Sequence, residues 1–442
     1  MSAQHPTGTV DPRTLEAVAK LLGQEVIPEP ASGPASAVVR PGSVEEVAAV
    51  LRAAEEARLP VHPVGGLPSH RHPPGLILDL SRLNAILEMN AEDMLAVVQA
   101  GVPLLSLAAT AEAAGLWYPP AFLACRQATV GGSLARGGGT RGHRHGSGRD
   151  YALGLRVVLA NGQVMSVGSR AIKNATGYNL TQFLIGSRGA LAVIVEATLR
   201  LVPKTSFRRT LVSCHADDSS AVAAALGLRG ADAPLVAAEL LDREALEAMR
   251  PRLGGLVPAE AGAAVLLLLE GAREKELAAS TERAAAALLD GSPSQLHVVD
   301  DAQAEAVWTA RRRLVASLAE TYPNLALVEV GLPPAAVASF TTLTRRLASQ
   351  QRIAVAVFGG IVAGSLTVGV LSAAGGSEFV ASFCRRLAAK ACALGGGLAD
   401  VDGVGLTYAD WLEAALPQTT AAMLRQLKGS LDPGDVLHPA HF

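Results

Sequence analysis

The sequence predicts an α+β protein with two main domains, and three observations carry that expectation. Residues 36–66 read as one β-α-β unit, and "YALGLRVVLANGQVMSVG" from Tyr151 reads as a β-hairpin. From about residue 205, apolar runs of strand length alternate with alanine-rich helical stretches. At 442 residues the chain can bury two or three separate cores. Its 38 basic and 40 acidic residues leave a net charge of -2, which gives no electrostatic reason to expect nucleic acid or an anionic membrane as the main partner.

Taken in order, Asp11 and Pro12 are placed as N-cap and first residue of a lead-in helix within residues 1–24. "ASAVVRPGSVEEVAAVLRAAEEARLPVHPVGG" then gives a strand, a helix capped by Ser43 with Glu46 three residues on, and a strand ending in glycines. "GLILDLSRL" and "MLAVVQAGV" have the length of strands, and "PLLSLAATAEAAG" that of a helix. The hairpin at Tyr151 turns on Asn161-Gly162, the dipeptide suited to a type I′ turn. "KNATGYNLTQFLIGSRGALAVIVEATLRLVPK" supplies a short helix, a Gly-Ser-x-Gly turn and a long strand, with Pro203 as the exit. The alternation beyond it suits an antiparallel sheet with helices, and "YADWLEAALPQTTAAMLRQLKGSLDP" reads as a helix before the tail "GDVLHPAHF".

The longest aliphatic run, "AAVLLLL" from Ala263 to Leu269, is too short to span a bilayer, and the first residues lack the apolar core of a signal peptide. The four cysteines form no close cluster, so neither a disulfide framework nor a resident iron–sulfur centre is expected, and the cytoplasm is the natural compartment.

The stretch "TVGGSLARGGGTRGHRHGSGRD", Thr129 to Asp150, is the most distinctive. Glycine lets backbone N–H groups approach a bulky anion, so a phosphate-bearing ligand is expected. Gly137, Gly139 and Gly142 form a G-x-G-x-x-G, but no strand leads into it and no helical pattern follows, so it is not a Rossmann fingerprint. His70-x-His72 and His143-x-His145 raise a metal reading. Neither pair has a carboxylate or cysteine at ligand spacing, and no metal is expected.

Six segments occur in a familiar order: "VVRPGSVEEVAAVLRAA", "PVGG" at Pro63, "TVGGSLA" at Thr129, "GSGRDYALGLRVVLANGQV" at Gly146, the Lys173 segment quoted above, and "LDPGDVLHP". Together they resemble the FAD-linked oxidases of the vanillyl-alcohol oxidase superfamily, most closely the flavin subunits of bacterial glycolate oxidase and D-lactate dehydrogenase. The resemblance implies a lead-in helix over 1–24 and a two-subdomain FAD-binding domain of the p-cresol methylhydroxylase (PCMH) type over 25–205. An α+β, ferredoxin-like cap domain over 206–428 and a tail over 429–442 that returns to the FAD domain would follow. It implies noncovalent FAD, with His70 or His72 as the sites where some relatives attach it covalently. The pyrophosphate would meet backbone amides of Gly65, Gly66, Thr129, Gly131, Gly132 and Ser133. Gly142, Gly146 and Ser147 would lie along the flavin, and Gly189 and Ile194 would contact the adenine or isoalloxazine.

The chain also departs from that pattern. The resemblance leads one to expect an H-x-G-D-G-N-x-H and an E-H-G-x-G whose histidines bind a metal. Here "FGGIVAGSL" at Phe358 and "VDGVG" at Val401 stand instead. "VWTARRRL" resembles a W-x-x-R-E region, which makes Arg311 the candidate partner of a substrate carboxylate. Asp402 is the candidate base. The function so implied is a cytoplasmic FAD-dependent subunit, free or peripheral at the inner face of the membrane. It oxidises a small 2-hydroxy acid and passes electrons to an iron–sulfur subunit, with or without a second flavin subunit, or to a quinone. The alternative is a non-catalytic FAD-carrying electron-transfer and assembly subunit.

Overall fold

The computed structural model describes residues 27–28, 36–66, 75–138, 144–371, 377–402 and 416–439. The expected lead-in helix, His70, His72, Gly142 and His143 lie outside these residues. The chain divides into two units, one of Met1–Gly139, Ser147–Lys204 and Thr407–Phe442, the other of Thr140–Gly146 and Thr205–Leu406.

The first unit contains two sheets. β1 (Ile27–Pro28), β2 (Ser36–Val39), β3 (Val61–Val64) and β4 (Gly75–Asp79) form one in the order β1-β2-β4-β3, with β2 and β3 both parallel to β4. The crossover between β2 and β3 is helix α1 (Val44–Ala57). It starts as the sequence implies: Ser43 Oγ accepts from Glu46 N–H at 3.1 Å, while the Glu46 carboxylate accepts from Gly42 N–H at 2.7 Å. Its buried stripe of Val47, Val50, Leu51 and Ala54 faces the core.

The other sheet is antiparallel. It holds β5 (Ile86–Asn90), β6 (Leu95–Gln99), β8 (Ala152–Val158), β9 (Val164–Gly168) and β10 (Val193–Arg200) in the order β5-β6-β10-β8-β9. Helices α2 (Leu104–Ala113), α3 (Val130–Ala135) and α4 (Leu180–Leu184) and the short pair β7 (Leu116–Trp117) and β11 (Val202–Pro203) complete the unit before residue 205. The hairpin joining β8 to β9 differs from the type I′ expectation. Only Gly162 takes a positive φ, 74°, Gly162 N–H donates to Leu159 O, and Leu159 N–H donates to Gln163 O. This is a type I turn closed by a left-handed glycine, which leaves Asn161 free to hold Gln163 N–H through Oδ1.

The second unit is built on one eight-stranded antiparallel sheet. Its strands are β12 (Phe207–His215), β13 (Leu235–Asp242), β14 (Ala263–Gly271), β15 (Gln295–Val299), β16 (Ala326–Gly331), β17 (Ala354–Gly360), β18 (Ser365–Leu371) and β19 (Gly397–Asp402), ordered β15-β12-β14-β13-β17-β18-β16-β19. Helices α5 (Asp218–Gly227), α6 (Arg243–Leu253), α7 (Glu274–Leu289), α8 (Asp301–Thr321), α9 (Val337–Gln351) and α10 (Ser377–Ala393) connect them. All eight residues of β13 are buried; alternate residues point to opposite faces, so both faces are covered there. On one face Asp242 caps α6 and accepts from Val357 N–H and from Arg345, whose guanidinium also bonds Asp218 at 2.8 Å. Burial pushes the Asp242 carboxyl up to about 7 against the pull of Arg345.

The cap boundary expected at 428 falls earlier. Helix α11 (Gln418–Leu431) groups with the first unit because its end is tied into that core. Buried Lys428 bonds Asp432 and, at 2.7 Å, Leu437 O, while Asp432 accepts from Val436 and Leu437 N–H. Val436 O and His438 N–H then bond Val61 at 2.8 and 2.9 Å. No helix among the described residues is long and apolar enough to cross a membrane.

Removing one partner of a buried ion pair leaves an uncompensated charge, which costs about 3–5 kcal/mol. D432A is expected to lose about that much stability in denaturant unfolding, and the double variant K428M/D432L less than either single change.

Candidate functional site

In the first unit the two glycine segments meet. A Cβ added at Gly65 would lie 2.4 Å from Thr129 Oγ1 and 3.5 Å from Gly132 Cα, and one at Gly66 only 1.9 Å from Gln127 O. A Cβ at Gly131 would sit 2.5 Å from Ala100 Cβ. These glycines are therefore required first for packing backbone on backbone. Gly189, at φ 79°, abuts Pro63 in the same way, its virtual Cβ 3.3 Å from Pro63 Cγ.

The amides do not all serve as expected. Gly131 N–H donates to Ala100 O at 2.8 Å, Ser133 N–H to Thr129 O at 2.9 Å, and Gly132 N–H to Thr129 Oγ1 at 3.2 Å as the cap of α3. What remains open among the described residues is the Gly65, Gly66 and Thr129 N–H groups and the buried Ser133 hydroxyl, which has no partner there. These four fit a phosphate-bearing group, because a buried polar atom without a partner is costly until a ligand supplies one. Ser147 is committed elsewhere: it is buried, and its N–H and Oγ both bond Asp150 Oδ2, at 2.8 and 3.2 Å. Gly146, at φ 71°, groups with the second unit. Ile194 is a core residue of β10 opposite Val157, beside a bulge.

In the second unit the chemistry lies on the sheet face opposite Asp242 and Arg345. Arg311 projects from α8 onto buried Glu239 of β13, its Nε and Nη2 donating to Oε2 at 2.9 and 2.6 Å. Its guanidinium carbon lies 5.2 Å from the centre of the Phe358 ring. Two of the five guanidinium N–H groups are so used. The structure does not bring Asp402 to this point. The row through Glu239 runs across the sheet through Gly360, Ser365, Gly331 and Gly397, and Asp402 ends the same edge strand as Gly397. Strand spacings place its backbone about 19 Å across the sheet and about 16 Å along it from Glu239. Its side chain lies outside what is described.

His145, the described member of its histidine pair, meets a carboxylate distant in sequence. Its Nε2 lies 2.5 Å from Oε1 of buried Glu270 on β14, whose Oε2 accepts from Thr205 Oγ1 at 3.0 Å. Burial alone would raise this carboxyl, but the His145 bond, with help from Thr205 and Arg144, holds it below its ordinary 4.5. Among the described residues no group of three or more His, Cys, Asp or Glu could hold a metal ion. Glu239, Glu270 and Glu329 are absent from the sequence-derived site. Each interrupts an otherwise apolar run, "LVAAELL", "AAVLLLLEG" and "ALVEVG", and that interruption was the available signal.

Residues 35–168 match a family described as FAD binding domain, and residues 205–441 match the C-terminal domain of FAD linked oxidases. Among curated relatives, a D-2-hydroxyglutarate dehydrogenase of Xanthomonas citri is 32% identical over 91% of this chain and 88% of its own length. A D-lactate dehydrogenase of Archaeoglobus fulgidus is 30% identical over 91% and 90%. The glycolate oxidase subunit GlcD of Bacillus subtilis is 29% identical over 91% and 88%. Among solved structures, substrate-bound p-cresol methylhydroxylase superposes with a TM-score of 0.79 over 99% of this chain and 98% of its own, at 15% identity. That likeness shows a shared fold.

Two outcomes are expected. S133A removes an unpartnered hydroxyl, so the cofactor-free protein should be no less stable, while FAD retention measured by fluorescence titration weakens by about 1 kcal/mol. The stability that Glu270 contributes is present above pH 4.5 and lost as pH falls through its lowered value. Thermal unfolding of E270Q should therefore vary less with pH below that point than unfolding of the wild type.

Proposed function

The chain belongs to the FAD-linked oxidases, with FAD as its cofactor, and from that premise we propose that it oxidises a small 2-hydroxy acid and delivers the electrons to an acceptor outside the chain. FAD, when bound, supplies a two-electron oxidant. The observation that carries the substrate reading is Arg311. It is a cation held at an apolar sheet face with N–H donors to spare, in a chain whose relatives of near-equal length are named for hydroxy-acid oxidation. Glu239 fixes the guanidinium plane, so the remaining edge meets a carboxylate already oriented. Phe358 packs against Arg311 on one side. Gly65, Gly66, Thr129 and Ser133 hold the phosphates. Four scattered cysteines favour an external electron exit, an iron–sulfur subunit with or without a second flavin subunit, or a quinone. A cytoplasmic location, free or peripheral at the inner face of the membrane, belongs to the same proposal.

A second reading, a non-catalytic FAD-carrying subunit for electron transfer and assembly, is favoured by one observation. The Arg311 charge is already matched by Glu239, which weakens its hold on an acid.

Anaerobic addition of glycolate, D-lactate and D-2-hydroxyglutarate to the yellow protein separates the two. The first reading expects one of them to bleach the flavin band, and R311M to raise the concentration needed by at least tenfold. Bleaching by none of them, with turnover only in a co-purified complex, would establish the second.

A further inference from the structure

Asp242 is fully buried on the reverse face of the second unit's sheet, and its carboxylate holds three separate elements. Oδ1 accepts from Ala245 N–H at 2.9 Å and so caps α6. Oδ2 accepts from Val357 N–H of β17 and, at 2.5 Å, from Arg345 of α9. These elements reach Arg311 in one further step. Val357 precedes Phe358, whose ring meets the Arg311 guanidinium. Helix α6 is tied to α8, which carries Arg311, by Arg252 Nη1 donating to Ser317 Oγ at 3.1 Å. Glu239, which holds Arg311, stands three residues before Asp242 on β13 and on the opposite face.

The surroundings let this carboxyl change its charge. Arg345 also bonds Asp218 at 2.8 Å and lies 3.6 Å from Glu244, so it stays matched by carboxylates when Asp242 is neutral. Arg243 adjoins Asp242 at the start of α6, and β17 carries no ionisable side chain. His215 of β12 shares a row with Asp242 through Ala263, two strands or about 10 Å away. It is buried and bonds Ser213 Oγ at 2.9 Å; burial pushes it below its ordinary value, against the opposing pull of Asp217. His215 is therefore neutral at pH 7 and sets no charge beside Asp242. Burial holds the Asp242 carboxyl itself up at about 7.

We propose that Asp242 is a proton-operated latch on the carboxylate site around Arg311, keeping that site in its binding arrangement when ionised and relaxing it when neutral. The proposal rests on the Arg311 reading above and adds regulation to it. Oδ2 meets two donors and Oδ1 one, so the proton, taken from solvent, enters on Oδ1. There it displaces the cap of α6, and through Arg252 the seat of α8 loosens. The bonds to Oδ2 weaken as well, because their acceptor has lost its negative charge. Linkage makes the effect reciprocal: an acid bound at Arg311 favours ionised Asp242 and expels its proton.

The test is calorimetric titration of the FAD-loaded full chain with oxalate, a carboxylate that stays ionised across the range and has no hydroxyl to oxidise. Two buffers of different ionisation enthalpy give the protons released. The wild type is expected to bind oxalate about three- to tenfold more tightly at about pH 8.5 than at about pH 5.5, and to release part of a proton, most near pH 7. D242N, which cannot take up the proton, should bind with an affinity that no longer varies through pH 7 and with no proton released. H215Q should keep the wild-type profile, and R311M should lose the binding. FAD content reports folding of each variant, and the wild-type proton count needs no variant at all. A wild type that binds oxalate without releasing a proton near pH 7 overturns the latch and leaves the hydroxy-acid reading standing. Proton release that persists in D242N, or vanishes in H215Q, belongs to another group and also overturns it. Absence of oxalate binding, or binding that R311M leaves unchanged, overturns the Arg311 reading and the latch together.

Discussion

A carboxylate placed in an apolar strand must be met by a donor, and that requirement decides what docks on the second unit's sheet. Stranding one such charge would cost several kcal/mol, a large part of what a domain has to spare. Glu239 brings in Arg311 and so fixes where α8 lies on its face. Glu270 brings in His145 and Thr205. Asp242 brings in Arg345 and, through it, Asp218, which ties α9 to α5 on the reverse face. The apolar residues of β13 and β14 supply most of the driving force for burial, but they are interchangeable in direction. The acids give the arrangement its register.

The glycine segments of the first unit follow a different logic. Thr129 serves both of its neighbours: its hydroxyl caps α3 and also presses on Gly65. The same close approach that lets two backbones pack commits most of the second segment's amides to protein acceptors. The donors left over belong to the first segment, to the Thr129 amide and to one side chain. Packing and ligand recognition thus share the glycines but divide the hydrogen bonds between them.

Much of this was legible in the sequence, and the misses have physical causes. Local signals transferred well: Ser43 and Glu46 cap α1 as their spacing implies, and the strand runs at 75, 94 and 151 are strands. The order of the glycine motifs identified the family and the cofactor. The turn at Asn161 was misjudged because the dipeptide fits two geometries, and loop length chose between them. Arg311 was legible as a candidate, but its partner Glu239 lies 72 residues away, and no periodicity links a helix arginine to a strand acid. Pairing Arg311 with Asp402 assumed a proximity that strand order forbids, since four strand steps separate β13 from β19. Ser147, a flavin contact by resemblance, bonds Asp150 through both N–H and Oγ, and sequence does not tell a capping serine from a binding one.

The clasp among Lys428, Asp432, Leu437 and Val61 has a consequence for how the molecule is made. Its two halves are separated by the whole second unit, so during synthesis the first-unit core waits, with the β3 edge beside Val61 bare, until every strand of the inserted unit has left the ribosome. Domains that lie in sequence order fold as they emerge. Here the unit that is begun first is closed last. The nascent chain must keep the first-unit core from collapsing or misassembling while a second domain folds in its midst.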